Sequence, residues 1–366
     1  MREISEYPMK GGIYSICPFY RGTLLVTCGS KTVLCQLDAS ASVAGDLLLR
    51  HVGTGHHGHM ISLYVDSLAG GRCEEEDGNG DGRQLAIVGD LMRSISLVEY
   101  HPKHQAIDEL ARDFDANFCT SVTMLTPNIY MGSEGHTNLF VLRYNTEART
   151  EQARCRLDVI GQYHLGEMAN KLAAGSLVMP SASSAGGDGG GGRSSASAGG
   201  GIAMSSGKHP SEAGGGKVDI TIGSQTIYGT VDGTLGSILG LGGKTFAFLN
   251  SLQRSMAAVV RPVGDLSHGL HRSWRQEHKV HGCVGFVDGD LVESFLDLGR
   301  STMERVVEEM NRDGRWRIRD EGRGFGDSLE ERDRAFAHGG EPASAPATSL
   351  TVEDVLGAVE EIVMLH

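Results

Sequence analysis

The sequence predicts an all-β region over residues 1–242 and a small helical region over 243–366. Three observations carry this reading. Before Gly243, apolar residues come in runs of about five to seven separated by turn residues, the pattern of short strands. After Gly243 they recur three or four apart, as on a buried helix face. No WD dipeptide or fixed-period repeat is visible, so the strand spacing alone leaves a propeller, a sandwich or a barrel open.

The strands are expected at 12–17, 23–28, 32–37, 60–65, 84–88, 94–100, 120–125, 129–132, 138–144, 158–164, 169–172, 225–229 and 234–239. Alternation supports them. Ile95 and Leu97 fall on one face of their strand, Val98 and Tyr100 on the other. Leu139 and Val141 alternate with Phe140 and Leu142, so that strand is apolar on both faces. Such strands suit a sheet covered on both sides.

The helices follow. Phe246, Leu249, Leu252, Met256 and Val260 form one stripe that ends near Pro262, because proline cannot continue a helix. Residues 290–298 and 302–311 are two further helices. Thr351 and Asp354 have capping-box spacing ahead of Val355, Val359 and Ile362, which places a last helix there. Three segments lack the apolar content to offset ordering entropy: 74–83, 180–217 and 322–349. They are read as unstructured insertions.

Bulk properties narrow the function. The 366 residues can bury a sizeable core, enough for one to three domains. Gly contributes 52 residues, and the net charge is −13. That balance argues against bulk phosphate binding, which needs clustered Lys and Arg. Seven Cys, an odd number, show no two-residue spacing of a zinc or redox pair, which fits reduced thiols in the nucleus or cytosol. The first ten residues lack a signal-peptide core and no long apolar run is present, so no membrane partner is expected.

Candidate chemistry is sparse. Asp77, Asn79 and Asp81 imitate the first half of an EF-hand loop, but Val88 stands where the twelfth-position Glu belongs. His56, His57 and His59 could hold a metal, yet no fourth ligand is evident and the glycines around them read as a surface turn. GLGGKT at 240–245 resembles a phosphate loop, but Ile238 occupies the place of its first glycine. No Gly-x-Ser-x-Gly elbow occurs. No catalytic residue, metal or cofactor is therefore assigned. Arg93 and Arg112 sit among apolar strand residues. Each either pairs with a nearby acid such as Asp90 or Asp113, or presents donors on a recognition surface.

Collinear stretches carry a resemblance. VGDLMRSISLVEY at 88–100, ELARDF at 109–114, HLGEMANKL at 164–172 and YGTVDGTLG at 228–236 come first. SWRQEH at 273–278, GFVDGDLVESFLDL at 285–298 and VEEIVMLH at 359–366 follow. Together they resemble the family of the UV-damaged DNA-binding protein large subunit, with relatives in RNA 3′-end cleavage and splicing. VGDLMRS favours the DNA-damage branch.

The resemblance implies the later blades of an incomplete β-propeller and a C-terminal helical domain. Family members are longer and have three propellers, so the start at Met1 is expected to be a truncation. It also implies a non-catalytic adaptor of a cullin-RING ubiquitin ligase, in the nucleus and also the cytoplasm. WD-repeat-type substrate receptors would be its partners. The cullin would dock on propellers absent here, and damaged DNA would be met through a partner. Matching positions for receptor binding are Ile61, Leu63, Tyr64, Leu91, Arg93, Arg112 and Phe118. Ile61 replaces a Met of the family pattern and Phe118 a Trp. The alternative is a nucleic-acid-binding subunit of an RNA cleavage or splicing complex.

Overall fold

The computed structural model describes residues 6–38, 48–68, 84–178, 220–316 and 349–364. The EF-hand-like run at 77–82 and the expected insertions at 74–83 and 180–217 lie outside the described residues, as does all but the last residue of 322–349.

Antiparallel meanders dominate. The first comprises β1 (Ile13–Pro18), β2 (Thr23–Cys28), β3 (Lys31–Asp38) and β4 (Leu48–His56). The second comprises β5 (Ser62–Asp66), β6 (Gln84–Asp90), β7 (Ile95–His101) and β8 (Ala106–Arg112). They meet edge to edge through a parallel pairing of Thr54 in β4 with Ala106 in β8, forming one eight-stranded sheet. The third meander is β9 (Cys119–Thr126), β10 (Ile129–Glu134), β11 (Asn138–Tyr144) and β12 (Leu157–His164), with a short helix α1 (Glu151–Arg154) before its last strand. A three-stranded sheet follows in the order β13 (Ala169–Ala174), β14 (Ile222–Thr230), β15 (Leu235–Leu241).

The first strand of each meander faces the first strand of the next: β1 lies against β5, β5 against β9, and β9 against β13. This is a propeller-like arrangement, in which meanders stack face on face as blades. Side-chain alternation explains it. Leu97 and Ile95 of β7 pack with Val122, Met124 and Phe140 between the second and third blades. Val98 and Tyr100, on the opposite face of the same strand, pack with Phe19, Leu25 and Leu34 of the first blade. The middle blade is thus covered on both sides, and every residue of β6 is buried. Each large apolar side chain buried this way contributes about 1.5–3 kcal/mol.

The described residues divide into two compact units. The first holds the blades up to Ala174, residues 228–236 and residues 274–284. The second holds α2 (Gly243–Val259), α3 (His268–His271), α4 (Gly289–Glu293), α5 (Arg300–Asp313) and α6 (Val352–Val363). Leu252, Met256, Phe295, Val306, Val355 and Val359 form its core. Thr351 and Asp354 do form a reciprocal capping box on α6.

Three local expectations are corrected. Short-strand periodicity does not predict β4 and β8, which the structure adds. Residues 290–298 form α4 and a following 3-10 turn rather than one helix. Within the stretch expected to be helical, Trp274–Gln276 and Lys279–His281 pair as a hairpin, β16 and β17. GLGGKT is a strand-to-helix turn, where the Thr245 hydroxyl accepts the Thr221 N–H at 2.9 Å.

Candidate partner-binding rim

Strand register gathers several of the candidate residues at one end of the blades. Ser62, at the start of β5, pairs with Asp90 at the end of β6. Ser96 pairs with Arg112 at the end of β8. Glu134, at the end of β10, pairs with Cys119 at the start of β9. The turns beyond these pairs carry Ile61, Leu91, Arg93 and Phe118.

Asp90 ties two of those turns together. It is fully buried, and its carboxylate accepts N–H bonds from Met60 (2.6 Å), Met92 (2.8 Å) and Arg93 (3.1 Å). Leu91 N–H donates to the Ile61 carbonyl at 2.9 Å, so these two side-chain bearers are neighbours. The sequence signal was available, because an Asp opening a tight turn accepts backbone N–H groups two and three residues on.

The two arginines divide between the alternatives, for Arg112 pairs with a nearby acid, Glu109, while Arg93 reaches a peptide carbonyl. Arg93 is exposed, and its guanidinium donates to the Gly58 carbonyl at 3.1 Å rather than to Asp90. Arg112 is held by both oxygens of Glu109, not by Asp113, with its Nη2 also 3.4 Å from the Gly58 carbonyl. That hydrogen bonding raises its already high pKa. Both guanidinium groups therefore converge on one peptide oxygen.

Beneath Gly58 lies the histidine run. His59 is buried, against the expectation of a surface turn, while His57 is exposed. The Nδ1 of His56 is 3.3 Å from Nε2 of His59. His59 Nδ1 is 3.9 Å from Asp90, and His56 Nε2 is 3.6 Å from Glu109. Burial pushes His59 down to about 4, and His56 downward as well, so both imidazoles are neutral near pH 7. Among the described residues no cluster of His, Cys, Asp or Glu is arranged to hold a metal.

Phe118 stands at the mouth of the β8–β9 connection, 39% exposed and stacked on His136 with centroids 6.1 Å apart. Ser94 N–H donates to the carbonyl of the preceding Asn117 at 3.2 Å, which ties this connection to the turn bearing Arg93. Asp113 is buried and accepts from Ser94 (2.6 Å) and Asn117 (3.2 Å); its burial raises its pKa. Leu63 and Tyr64 lie lower, on β5 itself. Leu63 is half-buried, and Tyr64 packs against the core between the second and third blades, where burial raises its phenol pKa. So five of the seven positions gather at the blade ends, and two line the strand that leads down from them.

Residues 1–297 match the family model of the CPSF A subunit region. The chain belongs to this family. The rice protein (Oryza sativa subsp. japonica) DNA damage-binding protein 1 is 36% identical over 307 residues, which are 84% of this chain and 23% of that protein. The tomato protein (Solanum lycopersicum) of the same name is 36% identical over 308 residues, 84% of this chain and 24% of its own length. DNA damage-binding protein 1a of Arabidopsis thaliana is also 36% identical, over 315 residues, again with 84% and 24% covered. The chain spans about a quarter of the length of the curated relatives it matches. The resemblance carried by VGDLMRS and its companion stretches holds, and it holds for the DNA-damage branch.

Proposed function

We propose that this chain is part of a non-catalytic adaptor of a cullin-RING ubiquitin ligase, acting in damage recognition and repair in the nucleus and also the cytoplasm. It receives substrate receptors of the WD-repeat type. The cullin docks elsewhere in the longer protein, and damaged DNA is met through a partner. Family membership and the curated relatives named for DNA-damage binding support the setting. The observation that carries the mechanism is the gathering of Ile61, Leu91, Arg93, Arg112 and Phe118 at one blade end. An apolar floor with arginine at its edge suits a helical or looped segment laid into a groove.

The rim is stiff for a physical reason. Asp90 satisfies three backbone donors, and Gly58 is shared by two guanidinium groups. A pre-ordered surface loses little entropy when a partner docks. A net charge of −13 disfavours the RNA-complex alternative, in which steep salt dependence of RNA binding is expected.

The test is receptor capture by the complete protein carrying Arg93→Glu with Leu91→Asp. Both changes place charge on the floor and edge, and capture should fall at least about tenfold, or about 1.4 kcal/mol. Undiminished capture by a folded double variant removes the rim assignment.

A further inference from the structure

The β16–β17 hairpin comes from the C-terminal third of the chain, yet its partners lie among the blades. Trp274 anchors it, 1% exposed in the core shared with Phe140 and Leu142 and edge-on to the Phe140 ring at 6.4 Å. Trp274 also stacks on His281 across the hairpin, with rings 6.0 Å apart and nearly parallel. A buried tryptophan fixes its backbone to the surrounding core.

From this anchor two polar chains run toward the rim. In the first, the Gln276 amide donates to Asn117 Oδ1 at 2.8 Å. Asn117 is buried, and its own amide nitrogen already donates to Asp113 and Ser94. Those bonds fix which way the amide faces, which leaves its oxygen turned to the Gln276 donor. Asn117 precedes Phe118. In the second chain, the Arg275 carbonyl accepts from Asn138 at 2.7 Å. Asn138 also donates to Glu134, and Glu134 meets His136 Nδ1 at 2.9 Å. His136 is the ring on which Phe118 stacks. Each half of the exposed stack is thus tied to adjacent residues of one strand. The Lys279–Asp115 pair at 3.3 Å is an exposed third link and contributes little.

We propose that the hairpin is a strut that positions the Phe118–His136 stack for partner docking, with Gln276 as the positioning residue. This rests on the rim reading above. The hairpin itself touches no partner; it sets the ring pair on which an apolar residue of a receptor segment is seated.

Gln276→Ala and Gln276→Glu both remove the donor, and the second keeps the volume if the first disturbs folding. Thermal unfolding verifies that each variant is folded. Receptor affinity should weaken about five- to tenfold in either. In a Phe118→Ala background the same change should alter affinity less than about twofold, since coupled groups are non-additive. An unchanged affinity, or an undiminished loss in the Phe118→Ala background, overturns the strut. Ring NMR signals of His136 give a partner-independent readout and should shift in both Gln276 variants. If Arg93→Glu with Leu91→Asp leaves capture intact, the rim reading fails, and an unmoved His136 signal then separately refutes the strut.

Discussion

His59 shows how one side chain makes the rim sensitive to acid. Its imidazole is 1% exposed, lies 3.9 Å from Asp90, and is pushed by burial from 6.5 down to about 4. His56, Glu109 and Arg112 are its other charged or titratable neighbours. The folded state holds the neutral form, so between pH 6.5 and pH 4 the unfolded chain binds more protons. Stability therefore falls as pH drops through that window, by about 2 kcal/mol at pH 5. His59→Gln should flatten most of this dependence between pH 7 and pH 5, read as denaturant midpoints. His56, also lowered, acts in the same sense, while Asp66 and Asp113 are raised by burial and act in the opposite sense at the acid end, so the histidine's share is read as the difference between the variant and the parent protein. The residues of this knot were only partly legible in the sequence. GHHGH read as a turn because glycines surround it. What buries His59 is its packing beside Asp90 and His56, which are distant in sequence or face it only after folding.

At the scale of elements, the join of β4 to β8 is the place where backbone conformation decides the outcome. Gly53 has φ +64°, and a Cβ there would meet the Gln105 carbonyl oxygen head-on. The same carbonyl accepts the Thr54 N–H at 2.9 Å, beside the parallel pairing of Thr54 with Ala106. Gly53→Ala should cost at least about 2 kcal/mol by combining left-handed strain with a backbone clash. Urea unfolding would measure it; a loss under about 0.5 kcal/mol, the range of an ordinary surface change, would contradict this account. These two strands are also the ones that sequence periodicity missed. LLRHVGTGH is broken by glycines and AIDELAR by charges because they are the outer strands of their blades, and much of each is half-buried or exposed. Inner and middle strands such as β6, buried throughout, were legible for the opposite reason. The β16–β17 hairpin is not legible in the sequence because three-residue strands carry almost no periodic signal.

For the whole molecule, face-on-face stacking of meanders explains both the core and the rim. Sheets covered on both sides need apolar residues on both faces, and β7 supplies them to two different cores. Because successive blades turn at the same end, their loops collect there without needing any repeat in sequence. The propeller-like class was legible from strand spacing and from family resemblance together, while spacing alone left three architectures open. Placement of Leu91, Arg93 and Phe118 together followed from register, which no single motif encodes. The most direct test of the central claim is site-specific photo-crosslinking from the complete protein to a bound receptor. A crosslinking amino acid at position 118 reports on the rim. One at Asn128, in the β9–β10 turn at the opposite blade end, is the control. Crosslinks from 118 and none from 128 are the expected result. Capture with crosslinks from 128, or with none from 118, would contradict the rim.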